Sequence, residues 1–182
     1  MALGVRGYNL FHPDRYALGI LATILGGGMS SRLFIQVRER RGLAYYVHSV
    51  AEHYADVGHL VTLAGVDLDK IEEAIRVILE EYRKVSKAKD ISQKELIKAK
   101  EFLKGRLILE LEDSRFTASI FGSGEILENR VKTPEEMMKK IDRVKKEDIQ
   151  RVADDVFREA KLNLAVIGPF QDGQKFKNLL RL

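Results

Sequence analysis

Four histidines, His12, His48, His53 and His59, are the imidazoles available to this chain for metal or acid–base chemistry, and no cysteine joins them. The absence of cysteine excludes a disulfide framework, thiolate ligation of zinc or an iron–sulfur cluster, and a cysteine nucleophile. The string His48-Ser49-Val50-Ala51-Glu52-His53 approximates the zinc-protease motif H-x-x-E-H with one residue too many. That motif works because two histidines four apart share one helix face, with a glutamate beside the metal-bound water. Here the spacing is five in a segment that reads as a strand, where odd spacing sends the rings to opposite faces. No metal site is therefore expected in this chain. Gly26-Gly27-Gly28-Met29-Ser30-Ser31 offers amides that an anion at a helix start would use, but it lacks the G-x-x-x-x-G-K-[ST] spacing and no strand precedes it. A turn with room for a neighbouring backbone accounts for it better. Arg41-Gly42-Leu43-Ala44-Tyr45-Tyr46 matches the RNA-stacking signature at Arg41, Gly42 and Ala44 and departs from it at Leu43, Tyr46 and His48, so nucleic acid is not an expected partner.

The longer segment from Leu25 to Tyr45, LGGGMSSRLFIQVRERRGLAY, carries a more specific signal. It closely resembles the second half of the pitrilysin/insulinase-type zinc metallopeptidases, the group that includes mitochondrial processing peptidase. The resemblance continues through a Tyr- and Ser-rich hairpin, a helix from Asp67, a small-residue helix around Ser119 to Gly124, the Thr133-Pro134-Glu135-Glu136 start and the closing Val166-Ile167-Gly168-Pro169. It implies a protein of two similar halves that close on an extended peptide, with the zinc and its H-x-x-E-H motif in the other, N-terminal half. In that family an Arg and a Tyr seven residues later reach into the active site from the second half, and Arg38 and Tyr45 stand at that spacing. The resemblance makes Tyr45 a support for the developing oxyanion and Arg38 a holder of substrate carbonyls, with Gly26, Gly27 and Gly28 beside the substrate. The residues alone leave other accounts open. Arg38 lies with Arg40 and Arg41 in the last turn of a helix, where cations favour the carbonyl end, and Tyr45 suits an ordinary strand.

These residues require elements to hold them. Residues 2–8 read as a short strand, and Tyr16, Ile20, Leu21, Ile24 and Leu25 share one helical face that Gly26-Gly27-Gly28 terminates. Ser30 or Ser31 is placed to cap a second short helix through about Arg40, with Leu33, Phe34 and Val37 inward and Gly42 ending it in a left-handed conformation. Ala44 to Tyr54 and Leu60 to Val66 alternate around Asp56-Val57-Gly58 and predict a hairpin. Ile71, Ala74, Ile75, Ile78, Leu79, Tyr82 and Val85 recur at helical spacing. Ser92-Gln93-Lys94-Glu95 is a capping box opening a long helix with Leu96, Ala99, Leu103, Leu107 and Leu111 inward. A helix over Ser114 to Leu127, two more from Thr133 and Lys145, and a strand over Lys161 to Ile167 complete the reading. The order predicts one α+β domain over 1–182, whose mainly antiparallel sheet of about four or more strands is covered by helices.

The chain has 182 residues, 32% of them charged and 45% apolar, the balance of a globular chain with a well-charged surface. Its net charge of +4 is too small and too interspersed to imply nucleic acid or anionic membrane, and no apolar run is long enough to insert in a bilayer. The strand-like opening Met1-Ala2-Leu3-Gly4-Val5 suggests a piece of a longer protein. The expected partners are a peptide substrate, the N-terminal half of the same protein or a homologous subunit, and a second copy through self-association. The expected compartment is the cytoplasm, or the mitochondrial matrix in a eukaryote. Two functions stay open: the non-zinc half of a peptidase, and a proteolytically inactive relative serving as partner or scaffold. A stand-alone peptide-binding module is a third.

Overall fold

Strand β1 (Ala2–Arg6) lies between both ends of the molecule's sheet. The hairpin of β2 (Ala44–His53) and β3 (Gly58–Val66) is on one side, and β4 (Leu162–Ala165), from the far end of the sequence, is on the other. The order is β2-β3-β1-β4 with every neighbour antiparallel. The computed structural model describes residues 1–87 and 90–182. Alternation assigns each face of the sheet a separate set of side chains. Val47, Ser49 and Ala51 stand opposite Ala64, Thr62 and Leu60, and those last two stand opposite Leu3 and Val5. That face is the buried one. The opposite face, with Tyr46, His48 and Val50 beside Gly65, Leu63 and Val61, is accessible: Tyr46 and Leu63 are exposed and the others half-buried.

Helices cover the buried face. Helix α1 (Arg15–Gly26) lays Leu18, Ile20, Leu21, Ile24 and Leu25 against it. A π-helical segment, Phe34–Glu39, follows and packs on β2. After a single 3₁₀ turn, α2 (Ile71–Ser86) buries the stripe expected of it, from Ile71 to Val85. The Ser92 capping box opens α3 (Gln93–Glu110), and Asp113 caps α4 (Ser114–Glu128). A second capping box at Thr133, with Pro134 in the first helical position, opens α5 (Pro134–Arg143). Helices α6 (Lys146–Val156) and α7 (Gln174–Leu179) complete the layer. This is the α+β architecture expected, an antiparallel four-stranded sheet under a layer of helices.

A one-way chain of buried hydroxyls joins the layers. Tyr82 of α2 donates to the carbonyl of Leu3 (3.3 Å), so its oxygen accepts from Thr62 (2.6 Å), whose own oxygen accepts from Ser49 (2.7 Å). Three buried polar side chains are thereby satisfied in the core, where an unpaired hydroxyl is costly. Burial accordingly pushes the Tyr82 phenol well above its ordinary pKa.

Two expectations need correction, and one helix is additional. In α3 only Leu96 and Ala99 are buried; Leu103, Leu107 and Leu111 are half-buried, because α4, which lies over this part of the fold, buries no residue of its own. The segment after the glycines does not use a serine cap: Ser30 is exposed, and Ser31 accepts the Ile35 amide through its carbonyl while its hydroxyl is buried without a partner. Helix α7 was not foreseen, being only six residues long, and it is anchored by one buried side chain, Phe176.

Candidate functional site

Arg38 and Tyr45 come together at the start of β2, and three local features bring this about. The first is the π-helical segment, whose hydrogen bonds reach five residues back, as from the Arg40 amide to the Ile35 carbonyl (2.9 Å). Phe34 and Arg38 lie above one another on this wider turn, with the guanidinium carbon 4.9 Å from the Phe34 ring centre. The second is the end of that segment. Gly42 adopts φ +56°, the left-handed conformation expected of it, and the amides of Gly42 and Leu43 donate to the carbonyls of Arg38 and Val37. Lys70 holds the turn by donating to the Gly42 carbonyl (3.0 Å). The third is a β-bulge: Ala44 is opposite Val66 and Tyr46 opposite Gly65, which leaves Tyr45 as the extra residue. A bulge re-aims the side chain it releases from the ladder, and Tyr45 is 85% exposed.

The result is a guanidinium between two aromatic rings, with the Arg38 carbon 5.9 Å from the Tyr45 ring centre. Cation–π attraction contributes about 0.5–1 kcal/mol at an exposed site, enough to orient the fork while leaving its N–H donors unused. Among the described residues Arg38 forms no ion pair and donates no side-chain hydrogen bond, and the Tyr45 hydroxyl has no protein partner. The Arg38 carbonyl accepts from the Gly42 amide, and the side chain, in the last turn of the segment, lies between the two rings. Chemically, the pair offers several N–H donors and one O–H donor to oxygen atoms of a molecule lying beside the accessible face of the sheet.

The three glycines lie elsewhere. Gly26 is buried where α1 crosses β2, and a Cβ there would stand 2.5 Å from the Ser49 amide nitrogen, so close approach of the two backbones requires glycine. Gly27 and Gly28 are half-buried and lead into the exposed Met29 and Ser30. Ser49 is four residues along β2 from Tyr45, roughly 13 Å at 3.3 Å per residue. The two motif histidines diverge as strand geometry demands: His48 Nδ1 lies 3.1 Å from the Gly26 carbonyl, and His53 Nδ1 lies 2.7 Å from the Tyr8 carbonyl. Among the described residues no group of three His, Asp or Glu side chains is placed to hold a metal, so the residues present do not fit a zinc ion. Also among the described residues, no helix is long and apolar enough to cross a membrane.

Phe34, Lys70 and the bulge were not singled out from sequence. Phe34 carried a legible signal, since an aromatic residue four positions before an arginine on one helix is a recognisable pair.

Comparison with known proteins agrees with this architecture. The family described as the peptidase M16 inactive domain matches residues 1–103. A protein named an uncharacterized zinc protease from Streptomyces coelicolor is 35% identical over 172 residues, 94% of this chain and 37% of the relative. Another of that description, YmxG from Bacillus subtilis, is 36% identical over 169 residues, 93% of this chain and 41% of the relative. The chain thus spans about two-fifths of the length of these relatives. Among solved structures, a protease from Helicobacter pylori superposes with a TM-score of 0.79 at 28% identity, over 88% of this chain and 39% of that one. A peptidase M16 inactive domain from Pseudomonas fluorescens shares the fold, with a TM-score of 0.75 at 24% identity over 88% of this chain and 38% of that one.

Proposed function

The chain belongs to the peptidase M16 inactive-domain family, and from that premise we propose that it is the substrate-binding half of a zinc-dependent peptidase, the half that lacks the metal. Its substrate is an extended peptide or presequence lying across Arg38 and Tyr45, with Gly27 and Gly28 beside it. The Tyr45 hydroxyl donates to the carbonyl oxygen of the bond being cleaved as that oxygen gains negative charge. Donors aimed at charge that grows in the transition state are worth more than donors to the ground state. Arg38 holds a neighbouring substrate carbonyl, a task for which its planar fork suits it better than a lysine. Gly26 serves by letting α1 reach β2.

The observation that carries this reading is the pairing of Arg38 and Tyr45, unengaged and accessible, by a π-turn and a bulge that have no other evident use. Both irregularities recur at functional sites. The zinc belongs to a complementary half, either of the same protein or of a homologous subunit, and the bacterial origin of the relatives together with the lack of cysteine favours the cytoplasm. The test is zinc content and cleavage of a quenched fluorescent peptide, by this chain alone and by the chain combined with the zinc-bearing half. The expected outcome is substoichiometric zinc and no cleavage for the chain alone, with activity appearing in the combination. Chelator-sensitive cleavage by the chain alone contradicts the proposal, and inactivity of a zinc-loaded combination converts it to a scaffold role.

A further inference from the structure

On the helical side of the sheet, α1, α3, α4 and α5 leave a cavity of about 510 Å³ between them. Its walls are apolar, with Leu103 of α3, Ile120 and Leu127 of α4, and Met137 and Ile141 of α5. Gly19, in the middle of α1, opens onto it, and a Cβ at that position would meet nothing within 4 Å. A glycine inside a helix costs about 1 kcal/mol relative to alanine. Here neither a left-handed backbone nor a close neighbour requires one; what the glycine supplies is space.

The rim is charged and unbalanced. Arg15 (3.3 Å) and Lys132 both pair with the single carboxylate of Glu128, and each of the three side chains is less than one-fifth exposed. Two cations against one carboxylate leave a surplus positive charge in a partly dehydrated setting, where a charge-assisted hydrogen bond is stronger than in water. His53 lines the inner end. Its Nδ1 lies 2.7 Å from the Tyr8 carbonyl and donates to it. Burial, with Arg15 and two other histidines nearby, lowers its pKa.

We propose that this cavity is a binding site for a small amphipathic anion, an aliphatic chain seated against α3, α4 and α5 with its carboxylate at Arg15 and Lys132. The volume lies within the 300–1,000 Å³ usual for small-molecule sites. His53 is eight residues along β2 from Tyr45, roughly 26 Å, so the site is separate from the peptide-binding face and does not rest on the peptidase reading. A neutral head group would forgo the charge-assisted bonds and a cationic one would be repelled. Apolar wall, vacant helix floor and cationic rim therefore select one chemistry.

The test is isothermal titration of the full chain with dodecanoate, dodecanol and dodecyltrimethylammonium, each below its micelle-forming concentration. Dodecanoate should saturate one site, dodecanol should bind at least tenfold more weakly, and the ammonium should not bind. Gly19→Phe, which fills the floor, should weaken dodecanoate at least tenfold with the circular dichroism spectrum unchanged. Lys132→Gln should weaken dodecanoate severalfold and leave dodecanol as it was. Ile120→Trp narrows the same cavity from α4 and serves if Gly19→Phe does not fold. Absence of saturable dodecanoate binding, equal binding of the three amphiphiles, or parental affinity in a folded cavity-filling variant would overturn the proposal.

Discussion

At the scale of single residues, the molecule separates groups that hold the fold from groups held ready. Ser49, Thr62 and Tyr82 use their hydroxyls on one another and on the Leu3 carbonyl, whereas Arg38 and Tyr45 are fixed by ring contacts that leave their donors open. His53 belongs to the first kind and makes stability depend on pH. Its burial lowers its pKa below the ordinary 6.5, so the unfolded chain takes up a proton at a pH where the folded chain does not. The contribution is therefore complete above about pH 6.5 and is lost as pH falls from there toward the folded-state value. Glu95 and Glu128, held below the ordinary 4.5 by Arg32 and by Lys132 with Arg15 despite their burial, begin to matter only at lower pH. Melting temperature should fall between pH 7 and pH 5 in the parent and be flatter in His53→Gln. A parallel decline in both would assign that window to other groups.

At the scale of elements, the strands, their hairpin and most of the helices were legible because each is a local pattern: alternation in β2 and β3, helical spacing in α2, and capping boxes at Ser92 and Thr133. What was not legible depends on neighbours far away in the chain. The choice of π over α winding after Leu33 is a matter of how Leu33 and Val37 reach the core while β2 passes alongside, and nothing in FIQVRE marks it. The inward stripe of α3 was drawn too long because its second half meets α5 through polar contacts such as Lys104 with Asp142 and no buried residue of α4 covers it. Glycines show the same division. Gly42 could be read from its place after a basic helix end, but Gly26 and Gly19 look alike in sequence and have opposite surroundings. Gly26→Ala should destabilise by about 1–3 kcal/mol, since its Cβ would press on the Ser49 backbone. Gly19→Ala, in open space, should stabilise α1 by about 0.5–1 kcal/mol. Urea denaturation of the two variants checks the pair, and equal effects would contradict the packing described.

At the scale of the whole molecule, the buried face of the sheet is fully used and two other surfaces are not. One is the accessible sheet face. The other is the α3–α4 side, where Phe102, Ile108, Leu109 and Ile126 are exposed. Apolar surface of this kind favours association, and the chain alone should self-associate as its concentration rises. Leu109→Glu with Ile126→Glu should shift it toward monomer without lowering its melting temperature, as light scattering and thermal unfolding would show; a monomeric parent at high concentration would count against an uncovered contact surface.

The proposed division of labour between the halves is tested most directly by the turnover of Tyr45→Phe in the chain combined with its zinc-bearing half. Tyr45 is exposed and outside the hydroxyl chain of the core, so loss of its oxygen should change stability by no more than about 0.5 kcal/mol. Removal of one oxyanion donor typically lowers kcat by about 10²–10³. The account predicts a fall of that size in kcat with little change in KM. Near-parental kcat, measured on fully folded protein, would contradict it and return Tyr45 to the role of an ordinary strand aromatic.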